Sequence, residues 1–449
     1  MGIKVTYTIK FKEKDDRGNI INPNNVISTI KRDISWGTFI SDLSAVNQTL
    51  RSNNSASKFE PQHTYFEDDD KMILEFHQDQ FNFYGEGLNH FLTTIAGDII
   101  RNTGIDSLMV EDIEFDVNEL KYFKGPKVGI AELRSKLLKK SLKGENRPIV
   151  AYSIKPRMGV TLDEYEKIIH SAALSNIDII EEDERLVDPI NCPFGERLKR
   201  IQKVIRETKT NSTFSVNLSG NYTNLKEKAV RAFNSGVRIF KFDVLSVGFD
   251  ALIHLRNILD EREFTEPVAL TVFPDVYGNV YRCISRESIL KLSRLCGADI
   301  LYAGSPHISR MGSMSAKDFE RDINRLTATH KMLSKPIENI KSTLPTITHD
   351  VHPGVLEKIV YSFRILAKNH NDYAFFIGGG ISGFPTKKDG VKESCEIWMN
   401  LIRHASIVNL DKHLDLEKID EVEAYNLKEY ETKLRSKGWY NDLFKKTIK

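Results

Sequence analysis

Ile177-Asp178-Ile179-Ile180 runs directly into Glu181-Glu182-Asp183-Glu184, an apolar strand that ends in four carboxylates. Crowded like charges repel one another, and a hard divalent cation held by oxygen ligands is the natural way to steady such a run. If the strand belongs to a parallel barrel, its C-terminal end is where barrels carry chemistry. The plainer alternative is a solvated acidic turn.

The chain around this stretch alternates short β-branched runs with helical patterns eight times. The expected strands are Ile149–Ile154, Ile177–Ile180, Phe214–Leu218, Val237–Val244, Pro267–Phe273, Ala298–Ala303, Leu344–Val351 and Tyr373–Ile377. Amphipathic stretches such as Leu162–Leu174, Gly195–Thr208, Asn224–Asn234 and Glu287–Leu295 separate them. Eight such units closing on themselves make a (β/α)8 TIM barrel, expected over 146–409. An open doubly wound sheet is the alternative, but no Gly-x-Gly-x-x-Gly turn follows the first strand. Residues 1–145 mix strands (Ile3–Phe11, Lys71–Phe76, Met109–Phe115) with helices (Asn25–Asp33, Gly87–Arg101), which reads as a smaller α+β, ferredoxin-like domain. Arg51–Lys58 reads as a loop, and 410–449 as a charged helical C-terminal extension.

Composition narrows the function classes. At 449 residues and 40% apolar content the chain can bury a large core. Its 64 Lys plus Arg against 62 Asp plus Glu, a net +2, argue against a nucleic-acid or anionic-membrane surface. Cys192, Cys283, Cys296 and Cys395 form no close pair, which suits reduced, packed thiols rather than a disulfide framework or zinc site. With no signal-peptide layout and no apolar run of membrane-spanning length, the expected location is the cytoplasm.

The order of α+β domain, barrel and helical tail resembles the ribulose-bisphosphate carboxylase (RuBisCO) large-chain family. Lys155-Pro156-Arg157-Met158-Gly159 is similar to its Lys-Pro-Lys-x-Gly segment, and Asp178 through Glu184 to its Asp-x-x-Lys-Asp-Asp-Glu metal motif. Asn217-Leu218-Ser219-Gly220 and Asp243 through Gly248 resemble the next two strand ends. Gly378-Gly379-Gly380, with Gly383 and Pro385, resembles the phosphate loop after the eighth strand. Three glycines by themselves fit a flexible turn equally well, but amides after the last barrel strands often bind phosphate.

Departures from the family pattern point to a RuBisCO-like protein rather than a true carboxylase. Glu181 stands where the carboxylases carry the lysine whose carbamate binds magnesium, so carbamylation is impossible at that position. Its carboxylate lies three bonds closer to the backbone, a shortfall of roughly 3–4 Å that a shifted metal or a bridging water would have to make up. The resemblance implies Mg2+ on Glu181, Asp183 and Glu184. The fifth-strand segment Leu270 through Asp275 lacks the family's paired histidines, and the loop Gly304 through Gly312 lacks its lysine, with Arg310 a partial replacement of that charge. Thr348-His349-Asp350 replaces the usual Ser-Gly-Gly, leaving the Thr348 hydroxyl as an anion donor.

RuBisCO-like proteins enolise, isomerise or decarboxylate phosphorylated sugar derivatives, and that is the activity the resemblance implies. The competing expectation is a degenerate, non-catalytic binding or regulatory protein on the same scaffold. Lys155 is the first candidate for proton transfer, since a partly desolvated lysine can titrate closer to neutrality; a structural ion pair with Glu181 or Asp183 is the alternative. Asp98 follows Gly97 where the methionine-salvage enolases place a catalytic lysine, and is a base, a ligand or a plain helix-surface carboxylate. His307 is a candidate proton shuttle or an ordinary loop histidine. Arg157 suits a phosphate or carboxylate better than proton transfer. A homodimer, in which Asp98 would act in the partner's barrel, is implied by resemblance alone. His349, Asp350 and His352 are read as structural.

Overall fold

The computed structural model describes residues 2–35, 57–274, 283–304, 316–348, 371–383 and 390–407, with isolated positions at 351, 356, 359, 360 and 363. Two compact units emerge. The first takes 1–125, 244–257 and 274–297; the second takes 126–243, 258–273 and 298–449.

In the first unit, strand β1 (Lys4–Phe11) buries Val5, Tyr7 and Ile9 on one face, the period-two pattern of a half-covered sheet. Helix α1 (Pro23–Asp33) starts on the Asn22 side chain, which accepts from the Asn24 amide, and has proline in its first turn. Strands β2 (Gln62–Phe66) and β3 (Lys71–Glu75), helix α2 (Phe83–Leu92) and strand β4 (Ile105–Glu114) follow. The antiparallel order β2-β3-β1-β4 with this βαββαβ sequence is the ferredoxin-like arrangement expected. β2 was not expected: as an edge strand with no buried side chain it lacks the apolar alternation that marks its neighbours. The expected helix Gly87–Arg101 begins earlier, and α2 passes into a wider π-type turn over Thr93–Asp98. At Gly87 (φ +79) a β-carbon would meet the Asp250 carboxylate at 2.6 Å; Asp250 caps the helix there, accepting from the Leu88 and Asn89 amides at 2.7 and 3.1 Å.

The second unit is the barrel. All eight expected strands are present: β5 (Ile149–Ser153), β6 (Ile179–Glu181), β7 (Thr213–Asn217), β8 (Ile239–Asp243), β9 (Ala269–Phe273), β10 (Ile300–Tyr302), β11 (Leu344–Thr348) and β12 (Ala374–Ile377). They close in parallel, β9 against β10 and β12 against β5. Helices α3 (Leu162–Leu174) and α4 (Phe194–Thr208) follow β5 and β6 and pack on each other. A capping box sets the start of α3: Thr161 accepts from the Glu164 amide, and the Glu164 side chain reaches back to the Thr161 amide.

Ile149, Ala151, Ile179, Ile239, Ala269, Ile300, Leu344 and Ala374 fill the barrel interior as an apolar layer. Two residues further along, the same inward face carries Ser153, Glu181, Ser215, Lys241, Thr271, Tyr302 and Thr346, with Phe376 of β12 the apolar exception. The interior therefore changes from apolar to polar toward the C-terminal ends of the strands. Among the described residues no helix is long and apolar enough to cross a membrane, and all four cysteines are free.

Candidate active site

Strand alternation divides the acidic run. Glu181, the last residue of β6, points into the barrel; Glu182 points outward. There Glu182 meets Arg197 of α4, at 2.7 Å to Nε and 3.2 Å to Nη2, and accepts from the Tyr165 hydroxyl of α3 at 2.8 Å and the Asn217 amide at 2.9 Å. Both charges of this pair are shut off from solvent. Glu182 is thus a fastening between barrel and helices, and three acids rather than four remain at the mouth.

Each of those three meets a side-chain cation. Glu181 accepts from Lys241 Nζ at 2.9 Å, from Ser215 Oγ at 3.0 Å and from the Tyr302 hydroxyl. Glu184 lies 3.3 Å from Lys241 Nζ and 4.0 Å from Arg157. Asp183 pairs directly with Lys155 and stands 3.6 Å from Arg157. The backbone of the turn is pinned by Asn217, whose side-chain NH2 donates to the carbonyls of Asp183 (3.2 Å) and Glu184 (2.9 Å). Ser219, two residues on, accepts from the Asp243 amide at 2.8 Å.

Lys241 was not foreseen. It sits mid-strand in Ile239-Phe240-Lys241-Phe242-Asp243, fully buried, and its ammonium also donates to Tyr302 Oη at 3.3 Å. The available signal was a single lysine at the inward phase of an apolar strand. Burial works to lower its pKa, but Glu181, Tyr302 and Glu184 outweigh it and raise the value well above that of an ordinary lysine. For Glu184 burial works upward, yet Lys241, Lys155 and Arg157 hold the carboxyl down at about 2.

The Mg2+ site implied by resemblance does not fit this donor set. The point where Glu181 and Glu184 converge is taken by the Lys241 ammonium, and Asp183 is turned toward Lys155. Three acids face three cations, so the repulsion that called for a divalent ion is already relieved. Among the described residues no group of three His, Cys, Asp or Glu side chains could hold a metal. In this structure the three expected ligands, Glu181, Asp183 and Glu184, are held instead by Lys241, Lys155 and Arg157.

Lys155 follows β5 and stays about one fifth exposed. Burial lowers its pKa, against the opposing pull of Asp183. Its chain lies over the start of the glycine run: a β-carbon on Gly378 would come 2.7 Å from Lys155 Cε and 3.4 Å from the Ser153 carbonyl oxygen. Gly378 leads into the helical turn Gly379–Ser382, whose first amides have no intrahelical acceptor. At Gly379 nothing stands within 4 Å of the missing β-carbon, while Gly380 is closed in by Ile377, Val351 and Trp398. Arg157 is half-exposed. Thr348 ends β11 on the inward face, buried. On that face the Thr271 and Thr346 hydroxyls are buried without a hydrogen-bond partner. Asp98 is exposed at the end of the wide turn in the first unit. His307, Arg310, His349, Asp350 and His352 lie outside the described residues, as does 410–449.

Comparison with known proteins agrees with this frame. The family model described as "Ribulose bisphosphate carboxylase large chain, catalytic domain" matches residues 129–418. A ribulose bisphosphate carboxylase of Pyrococcus furiosus is 26% identical over 299 residues, 66% of this chain and 66% of its own. A 2,3-diketo-5-methylthiopentyl-1-phosphate enolase of Bacillus cereus is 28% identical over 316 residues, 68% of this chain and 70% of its own. The crystal structure of an octameric ribulose-1,5-bisphosphate carboxylase/oxygenase from Pyrococcus horikoshii superimposes with a TM-score of 0.73 at 19% identity, covering 99% of this chain and 94% of its own.

Proposed function

This chain belongs to the RuBisCO large-chain family, and on that premise we propose that it is a RuBisCO-like enzyme which moves a proton beside the carbonyl of a phosphorylated, sugar-derived keto compound. Enolisation and isomerisation begin with that step; decarboxylation reaches the same enolate by loss of CO2 and ends with a proton delivered to that carbon. The observation that carries the reading is the position of Lys155 across Gly378, which brings a proton-transferring amine against a turn whose amides suit a phosphate. Because burial lowers its pKa, Lys155 reaches its neutral, basic form at a lower pH than a free lysine would.

In this reading the phosphate sits on the Gly378, Gly379 and Gly380 turn, with the Thr348 hydroxyl as a further donor. Arg157, planar and always charged, holds a second oxyanion or the developing enolate. Lys155 removes the proton from the carbon next to the carbonyl, and Asp183 steadies the ammonium that results. Arg310 and His307, in the segment that follows β10, are assigned to anion binding and proton shuttling. The protein acts as a homo-oligomer, with Asp98 serving the partner's barrel; the P. horikoshii protein's octamer supports association of this kind. Ribulose bisphosphate carboxylation is not the proposed activity, because Glu181 cannot form the carbamate. A non-catalytic binding role is the second reading, favoured by the charge-balanced closure of the acidic cluster.

The test is exchange of the proton next to the carbonyl in heavy water, followed by NMR across a panel of phosphorylated keto sugars and diketones, alongside Lys155→Met. Exchange by the native protein, reduced about 10²- to 10⁴-fold in the variant, is the expected result. Undiminished exchange in Lys155→Met, or CO2 fixation onto ribulose bisphosphate by the native protein, would reject the assignment. No exchange with any compound would favour the binding role.

A further inference from the structure

We propose that Lys241 is a resident cation occupying the position of a divalent metal ion, so that the acidic cluster of this barrel is closed from within and takes up Mg2+ only when that lysine is removed. The inference rests on the geometry of Lys241 and holds whichever keto compound or reaction the site serves.

Three observations carry it. The ammonium has three hydrogens and three acceptors: Glu181 at 2.9 Å, Glu184 at 3.3 Å and the Tyr302 hydroxyl at 3.3 Å. All of its donors are therefore used within the protein. Secondly, Lys241 has no way out. It projects inward from the middle of β8 with Ile239 beneath it on the same face, and the rings of Tyr302 and Phe273 stand 4.7 and 5.4 Å from its nitrogen. A metal ion entering this space would have to share it with a fixed positive charge. Thirdly, the balance of charge is complete without a metal: Lys241, Lys155 and Arg157 answer Glu181, Glu184 and Asp183. Adding Mg2+ would leave an excess of two positive charges in a site largely removed from water, where such an excess is costly.

This arrangement differs in chemistry from a metal centre. A bound Mg2+ keeps positions open for the oxygens of a substrate. An ammonium with every hydrogen engaged keeps none. Lys241 would thus hold Glu181 and Glu184 in place as a positioning residue, and polarisation of a substrate carbonyl would fall to Arg157, which stands nearer to solvent.

The experiment is Mn2+ binding by metal-stripped protein, read by electron paramagnetic resonance with and without bicarbonate, together with the thermal midpoint in EDTA and in Mn2+. Three proteins are compared: native, Lys241→Met, and Glu181→Gln/Lys241→Met, which loses both members of the 2.9 Å pair. The native protein is expected to show no stoichiometric Mn2+ and no change in midpoint. Lys241→Met is expected to bind one Mn2+ per chain at least about tenfold more tightly and to be stabilised by it. The double variant is expected to recover midpoint in EDTA relative to Lys241→Met and to bind Mn2+ more weakly. One Mn2+ per native chain in the absence of bicarbonate would overturn the proposal. Stoichiometric binding only with bicarbonate would overturn it too, since the native site would then take up the metal with Lys241 still in place. A Lys241→Met protein that folds in EDTA but binds no more Mn2+ than the native one would do the same. If Lys241→Met folds only in Mn2+, that rescue counts in favour; if Mn2+ fails to rescue it, the proposal falls.

Discussion

Replacing Glu182 by glutamine should destabilise the barrel while leaving the mouth intact. The carboxylate has two full hydrogen-bond partners on each oxygen: Tyr165 and Arg197 Nε on one, Arg197 Nη2 and the Asn217 amide on the other. Glutamine keeps one acceptor oxygen and turns an NH2 group toward donors on the other side. It also leaves the guanidinium of Arg197 buried without its counter-charge, although the carbonyls of Cys192, Leu186 and Val187 still accept from it. Breaking a buried ion pair from one side costs about 3–5 kcal/mol. At roughly 2 cal/mol/K of unfolding entropy per residue, a unit of roughly 300 residues loses about 1.6 °C per kcal/mol, so the midpoint should drop by about 5–8 °C. Scanning calorimetry of Glu182→Gln beside Glu182→Gln/Arg197→Met checks this. The double variant, freed of the unpaired charge, should regain a large part of the loss. A single variant within 1 °C of the native protein would refute the argument that alternation makes Glu182 a fastening.

Two further outcomes are expected. Gly378→Ala places a methyl group 2.7 Å from Lys155 Cε, so the flexible lysine rather than the backbone must move; exchange activity should fall at least about tenfold with the thermal midpoint shifted by no more than about 2 °C. Glu184 has a folded-state pKa of about 2 against an ordinary 4.5, so the unfolded chain binds the extra proton between those values. Its contribution, at most about 3 kcal/mol, is present above about pH 4.5 and lost as the pH falls toward 2. The midpoint difference between native and Glu184→Gln protein should shrink over that range; a difference constant from pH 6 to pH 2 would contradict the assignment.

The barrel was legible because its strands are buried on both faces and read as compact β-branched runs, each followed by a helical period. The edge strand Gln62–Phe66 was not, since it buries no side chain and shows no apolar pattern. Nor was the wide turn at Thr93–Asp98, which continues the same apolar periodicity as the helix before it. In the site, Lys155, Asp183 and Glu184 come together as their strand-end motifs imply, with Lys155 against Asp183. Reading the acidic run as one cluster overlooked that consecutive strand residues face opposite ways, which sends Glu182 to Arg197. Lys241 is the residue that the metal reading did not weigh. Its charge neutralises acids sixty residues away in the chain, and nothing local to Glu181 announces it.

The first unit draws its residues from three separated stretches, reaching as far as 297. Asp250, which caps the helix at Gly87, and Cys283 and Ser285, which bond the backbone of Val110, are all made long after the sheet they complete. On the ribosome, the amino-terminal sheet must therefore wait through the synthesis of half the barrel before its own last contacts exist. A truncated polypeptide ending shortly after residue 125 would hold every strand of that sheet and still leave Leu88, Asn89 and Val110 without these partners. In this protein the earliest-made sheet is finished only after five of the eight barrel strands have been made.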